Sequence, residues 1–418
     1  MCDSLCSIPA TSQKIFYPRN ICDVKAIVNN NCLGEITIVS GAHSYIEPKP
    51  NATILITTQI ESQDLEYEND TVWVPAGVRM GQLYPQLIEK SVIAVGGSCY
   101  AVGIGGYIMG GGLSVIMRLY GIGSDNLIAS ETVLANGRYV KIDDEKQDLF
   151  FMQKGAGQGL AVMNRVQLRT YPLPEVTYDF YSQLNNWNDA EKVFEMLQNR
   201  EYWASIPDRV WYAIQLRPKS LAVSGHCHGE LWTLPEPLAS YFTTTVYVRT
   251  NYLDSTDYWN GEPDPVGSVY GRISYVQYEP IPRSAIRTVL NSLDREFPCT
   301  VVILMDLFGG AIARTPIENR GAFPHHDAMF SWQYLVVAQP DTLKVGLDWM
   351  YSTYKATVHV MRGAYVSYCN VIIPEDQYFL QNFPRVLTLR NKYNPGKFVV
   401  LYADEDVRNS KRYSILCA

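Results

Sequence analysis

The chain has 418 residues, 47% of them hydrophobic and 18% charged, with a formal net charge of -7. That length exceeds the usual single domain, so two units with separate hydrophobic cores are expected. The acidic balance and the lack of a Lys/Arg cluster argue against a nucleic-acid partner, and no apolar run approaches the ~20 residues of a membrane span.

The stretch Met1 to Cys6 has no basic region followed by an apolar core, so no signal peptide is expected. The sequons Asn51-Ala-Thr53 and Asn69-Asp-Thr71 keep a secretory route open, and the compartment is undetermined. Nine cysteines at irregular spacing form no Cys-x-x-Cys pair, and the odd count leaves at least one thiol outside any disulfide.

A strand over Lys14 to Tyr17, a helix opened by Asn20 over Asp23 to Asn30, and a strand over Glu35 to Ser40 make a β-α-β unit. The last strand runs into the turn Gly41-Ala42-His43-Ser44-Tyr45, with a histidine at its tip. By itself that histidine carries no function. Thr53 to Thr58 and Thr71 to Pro75 alternate as strands, and Met80 to Lys90 reads as an amphipathic helix interrupted by Pro85.

From Gly96 to Asn126 ten of 31 residues are glycine. Glycine is favoured where φ is positive or where backbone approaches something closely, and clustered amides form nests for phosphate oxygens. A pyrophosphate is the natural occupant of Gly103-Ile-Gly105-Gly106 and Gly110-Gly111-Gly112. The dinucleotide fingerprint G-x-G-x-x-G fails, because the place of its third glycine, counted from Gly103, is Ile108. A glycine-rich bend without ligand is the alternative.

Ile128 to Leu134 and Tyr139 to Ile142 flank a hairpin at Ala135-Asn136-Gly137. A helical approach from Asp148 leads to a second glycine turn, Gly155-Ala-Gly157-Gln-Gly159, and a strand over Ala161 to Arg169. Tyr171-Pro172-Leu173-Pro174 marks the expected boundary. Beyond it, helices over Asn188 to Arg200 (Asn188 as cap), Pro282 to Glu296 and Asp341 to Tyr354 alternate with strands over Arg209 to Leu216, Tyr270 to Gln277, Val301 to Phe308 and Phe330 to Val337. This is an α+β arrangement with an antiparallel sheet. Its many aromatic residues suit a core and, in part, a pocket for a sugar or planar substrate. His226-Cys227-His228 and His325-His326-Asp327 lack a supporting ligand pattern, so no metal is expected.

His43 in Gly-Ala-His-Ser-Tyr, Cys99 in Gly97-x-Cys-x-x-Val102-Gly103-x-Gly105-Gly106-x-x-x-Gly110-Gly111-Gly112, and Arg118-x-x-Gly121-x-x-x-Asp125-Asn126 together resemble the FAD-linked oxidases related to berberine bridge enzyme. That family has PCMH-type FAD binding and lies in the vanillyl-alcohol oxidase superfamily. Phe323-Pro324-His325, Tyr365-Val-Ser-Tyr368 and Asn391-Lys-Tyr-Asn-Pro-Gly-Lys-Phe398 are similar to its later signatures, so the likeness spans nearly the whole chain.

The resemblance implies an α+β, two-domain PCMH-type FAD-binding fold: residues 1–172 and 371–418 bind FAD, and 173–370 form an antiparallel-sheet substrate domain. It implies FAD held bicovalently, His43 on the isoalloxazine methyl and Cys99 on a ring carbon. Gly41, Ala42, Ser44, Gly97, Val102, Gly103, Gly105, Gly106, Gly110, Gly111, Gly112, Asp125, Asn126, Gly157, Val162 and Tyr368 would line the cofactor. The resemblance also implies that hydride passes from a small-molecule substrate to flavin and that dioxygen reoxidises it to give hydrogen peroxide.

In the family's sugar-oxidising members a tyrosine pairs with an aspartate before a Gly-Gly turn, which puts Tyr365 and Asp306 here. A carboxylate beside the phenol would hydrogen-bond its proton and help it act as base. The alternative is that Tyr365 packs on flavin and Asp306 caps a turn. Tyr45 is a second candidate. Oxidation of a carbohydrate or related hydroxyl is the leading expectation; oxidative ring closure or dehydrogenation of a specialised metabolite is the rival. Val39, Ala42, Leu160 and Ser367 depart from the family pattern, which also leaves open a non-catalytic protein that retains the fold. Oligomeric state does not follow from the sequence.

Overall fold

The computed structural model describes residues 14–30, 33–44, 46, 53–57 and 63–398; Tyr45 and Thr58 lie outside them. The expected β-α-β unit is present. Strands β1 (Lys14–Phe16), β2 (Ile36–Val39) and β3 (Thr53–Ile56) form a parallel sheet in the order β1-β3-β2. The helix Ile21–Asn29 connects β1 to β2 and starts where the Asn20 side chain accepts from the Asp23 amide at 2.9 Å. Its Val24, Ile27 and Val28 stripe is buried on the sheet side.

A second, antiparallel sheet takes β4 (Glu66–Glu68), β5 (Thr71–Pro75), β7 (Leu127–Leu134), β8 (Tyr139–Ile142) and β9 (Ala161–Arg169), in the order β4-β5-β9-β7-β8, with β6 (Val92–Ile93) pairing separately with β10 (Tyr171–Pro172). The helix Met80–Glu89 is continuous through Pro85, contrary to the expected interruption. Pro85 stands early enough to forfeit only the bond to a carbonyl of the first turn.

The third sheet is antiparallel and seven-stranded: β11 (Thr177–Leu184), β12 (Val210–Arg217), β13 (Ser220–His228), β14 (Phe242–Arg249), β15 (Val269–Gln277), β16 (Thr300–Leu307) and β17 (Phe330–Ala338), ordered β14-β11-β13-β12-β16-β17-β15. Of these, β11 and β14 escape the sequence reading. Buried Asp179 interrupts the apolar alternation of the first, and the second is exposed over most of its length.

Directly paired residues share a face of a sheet. Ile214, Met305, Trp332 and Tyr275 therefore stand together, as do Leu216, Ile303, Tyr334 and Ile273, and all are buried in the main core. The amphipathic helices Ala190–Leu197, Arg283–Ser292 and Leu343–Thr357 contribute Val193, Phe194, Ile286, Val289, Trp349 and Met350 to that core. Asn188 is not the cap of the first helix: Asn186 accepts from the Asn188 amide at 3.1 Å and closes a 3-10 turn, after which the helix begins. The opposite face carries Asp306, Ser331, Gln215, Gln333, Ser274 and Ser224. Near its end the chain returns to the first sheet, where the Ile36 amide donates to the Lys397 carbonyl at 2.9 Å and Phe398 bridges Ile36 in parallel.

Candidate active site

The turn after β2 is fixed by backbone contact. Ser40 Oγ donates to the Ala76 carbonyl at 2.7 Å, and a Cβ on Gly41 would lie 2.2 Å from the Gly103 nitrogen, so only glycine allows the two loops to cross. Ala42 follows with φ +59°, a left-handed conformation that disfavours a Cβ. Beyond it His43 Nε2 lies 3.3 Å from Cys99 Sγ, with both side chains half-buried. The Cys99 loop is tied down on either side: Tyr84 Oη donates to the Gly97 carbonyl at 2.5 Å, the Gly81 amide to the Tyr100 carbonyl at 3.2 Å, and the Met80 amide to the Val102 carbonyl at 3.0 Å.

The glycine run is not an open bend, because Ile104–Gly110 is a helix. Most of its glycines serve close packing. A Cβ would meet Ala76 O at 3.0 Å from Gly105, Ser367 Oγ at 2.1 Å from Gly110, the Phe323 ring at 2.7 Å from Gly111 and the Tyr107 ring at 2.7 Å from Gly112. The Gly105 amide donates to Ala76 O at 3.1 Å. Gly106 alone in the run faces free space. Gly157 packs on Met109, and Val162 lies in the core under the helix Ile21–Asn29.

Asp125 and Asn126 turn inward. Asp125 accepts from His326 Nε2 at 3.0 Å, the Ile122 amide at 3.3 Å and Thr315 Oγ1 at 3.2 Å. Asn126 donates to the Tyr120 and Ile122 carbonyls at 3.0 and 2.9 Å and accepts from Tyr171 at 2.6 Å. Their side chains shape the turn after Gly121 and engage the loop that carries His326. Ser44 is exposed.

Tyr365 is buried, and its phenol oxygen accepts from the Gly112 amide at 3.0 Å. Burial raises its pKa above the usual tyrosine value, and the charge of Asp306 adds to the rise. The expected hydrogen bond between the two is not formed; the interaction is electrostatic. The Asp306 carboxyl has no hydrogen-bond partner among the described residues, and burial pushes its pKa up to about 7. Tyr368 meets Tyr365 edge-on, with centroids 4.9 Å apart.

The loop 321–328, flagged in the sequence only by its Phe-Pro-His motif and paired histidines, brackets Tyr365. Phe323 packs edge-on against it at 6.0 Å. His325 Nε2 donates to the carbonyl of neighbouring Ala364 at 2.9 Å, which leaves Nδ1 to accept from Tyr278 Oη at 2.6 Å. Burial lowers the His325 pKa to about 3, so its imidazole is neutral. Arg118 is buried and donates to the carbonyls of Val210, Ile206 (each 2.8 Å) and Phe308, tying the short helix Met117–Tyr120 to the end of β16.

A family model described as an FAD binding domain matches residues 12–143. Berberine bridge enzyme-like 25 of Arabidopsis thaliana is 24% identical over 92% of this chain and 82% of its own length. By these matches the chain is an FAD-linked oxidoreductase that is similar to the berberine bridge enzyme-like proteins. It is also similar to the monolignol oxidoreductase AtBBE-like 13 of the same plant, 24% identical over 86% of this chain and 77% of that one. The fold of the xylooligosaccharide oxidase from Myceliophthora thermophila C1, solved with xylobiose, superposes with a TM-score of 0.81 at 18% identity, covering 96% of this chain and 98% of that one. The α+β PCMH-type fold and FAD as cofactor follow for this chain. Its own residues suit FAD: an imidazole and a thiol stand side by side, and Gly106 leaves open space at the start of a helix.

Proposed function

We propose that this enzyme holds FAD through both His43 and Cys99 and oxidises a hydroxyl-bearing carbon of a carbohydrate or related alcohol, with dioxygen as acceptor and hydrogen peroxide as product. The carrying observation is the pair formed by Tyr365, anchored on the Gly112 amide at 3.0 Å, and Asp306, which presents an unpaired carboxyl on the polar face of the seven-stranded sheet. Residues 1–172 with 371–418 form the FAD unit and residues 173–370 the substrate unit in this reading; the separate sheets and the return of Phe398 to Ile36 support it. Bound FAD supplies the hydride acceptor.

The protein moves the proton. A buried phenol with a raised pKa is neutral near pH 7 and becomes a base only if it can pass its own proton on. Asp306, at about 7, is tuned to receive it. The substrate hydroxyl gives its proton to Tyr365 Oη as Tyr365 releases one to Asp306 through a bridging water or substrate hydroxyl, since the two side chains are not hydrogen-bonded to each other, and the Gly112 amide steadies the charge that builds on the phenol oxygen. Half-buried Gln215, on the same polar face as Asp306, offers a donor and an acceptor suited to a hydroxyl-bearing substrate, while Ser224, Ser274, Ser331 and Gln333 are buried beside them. The Arabidopsis monolignol oxidoreductase favours a second reading, a planar specialised alcohol oxidised by the same groups.

Single-turnover flavin reduction tests the assignment. Tyr365→Phe and Asp306→Asn are each expected to slow reduction by about 10²–10⁴-fold. In the wild type the rate should fall as pH drops through about 7, because the ionised carboxylate is the accepting form, and that limb should vanish in Asp306→Asn. Reduction at wild-type speed in both variants would remove the pair from the chemistry.

A further inference from the structure

We infer that the helix Tyr252–Asn260 is a strut that positions the Cys99 thiol for its bond to flavin, and that Tyr100, Asp257 and Asp179 are positioning residues for that link. The inference rests on the bicovalent reading above.

Tyr100, next to Cys99 in the chain, takes its amide and phenol contacts from this helix, while its carbonyl accepts from the Gly81 amide. Its amide donates to Asn260 Oδ1 at 2.8 Å, and its phenol donates to Asp257 Oδ1 at 2.5 Å and lies 2.8 Å from Thr256 Oγ1. Burial and the Asp257 carboxylate raise the Tyr100 pKa to about 12, so the phenol keeps the proton it donates. The same helix is bolted to the sheet on its other side. Asp179 on β11 is fully buried and accepts from Trp259 Nε1 at 2.8 Å, Ser255 Oγ at 3.0 Å, His226 Nδ1 at 3.0 Å and Arg249 Nε at 3.2 Å. A buried carboxylate with four donors is a rigid fixture, because every alternative arrangement strands a charge or a donor. Sheet, helix and Cys99 loop are thus one connected polar chain.

The turn that carries His43 is held by other contacts: Ser40 on Ala76 and Gly41 on Gly103, all within the N-terminal part. The Cys99 bond is therefore expected to depend on the helix docked on Tyr100, and the His43 bond on the Ser40 and Gly41 contacts. Thioether formation replaces a ring C–H by C–S, releasing the thiol and ring protons with two electrons that dioxygen takes up. Its rate depends on where the sulfur sits, and a displacement of about 1 Å can cost about 10²-fold.

The test uses the full chain expressed as wild type, Tyr100→Phe, Asp257→Ala and Asp257→Asn, with peptide mass analysis of flavin on Cys99 and on His43. In Tyr100→Phe and Asp257→Ala, occupancy of Cys99 early after flavin addition is expected to fall about tenfold while His43 stays occupied. Asp257→Asn, whose amide oxygen still accepts from Tyr100, should restore it. Equal Cys99 occupancy in all four proteins, or parallel loss at both sites, overturns the inference. Alkylation of Cys99 by iodoacetamide in flavin-free protein, with exposed Cys22 as internal standard, supplies a separate readout: Tyr100→Phe should raise the rate several-fold, and an unchanged rate counts against the strut even if the protein takes up no flavin and the bicovalent reading falls.

Discussion

Ala42 shows how one residue can carry a local cost for the site. The turn beneath His43 needs φ near +59°, which glycine adopts freely and alanine does not. Ala42→Gly is expected to stabilise the folded protein by about 1 kcal/mol from relief of strain, less the entropy that glycine returns to the unfolded chain, as read by chemical denaturation. A destabilised variant would mean that the Ala42 methyl packs usefully. Ser367 illustrates the converse constraint: its Oγ occupies the space a Gly110 side chain would need, so the Gly-Gly-Gly triplet is fixed by protein neighbours as well as by any ligand. Half-buried Asp306 differs from Asp125 and Asp179 in having no hydrogen-bond donor within reach among the described residues. That isolation lets burial alone raise its pKa, and a proton acceptor must be raised in this way to work near neutral pH.

Among elements, the short helix Met117–Tyr120 matters through Arg118. Three carbonyls from the ends of β12 and β16 and the segment before β12 converge on one guanidinium, whose pKa burial lowers to about 10, so it stays charged at neutral pH. Arg118→Met removes every donor and leaves buried acceptors unpaired; a loss of about 2–4 kcal/mol in unfolding free energy is expected, with slower flavin reduction because Phe308 lies two residues beyond Asp306. Stability within about 0.5 kcal/mol of wild type would show that water replaces the guanidinium. Regular elements were legible in the sequence where period and packing agree: β5, β8 and β9 fall where alternation puts them. The glycine-run helix was not, since glycine is a poor helix former and Ile104–Gly110 is held by neighbours. The edge strand β14, Thr-rich and exposed, carries no burial signal.

Over the whole molecule, the site is a seam. His43, Cys99 and the Gly112 amide come from the N-terminal sheets; Asp306 comes from the seven-stranded sheet; Tyr365 arrives on the chain returning from it. The proposed attachment residues and the glycine run could be singled out from motif spacing because they leave a pattern in one dimension. The contacts that assemble the seam, His326 with Asp125, Arg118 with three carbonyls and Tyr100 with the helix Tyr252–Asn260, join segments far apart in sequence and leave no local signature. The measurement that bears most directly on the account is the denatured intact mass of wild type, His43→Ala and Cys99→Ala, read beside the visible spectrum. All three proteins should be yellow and carry the mass of one FAD after denaturation, because either residue alone retains the cofactor. A wild-type chain of unmodified mass that takes up no flavin when supplied with it would contradict the proposed bicovalent oxidase.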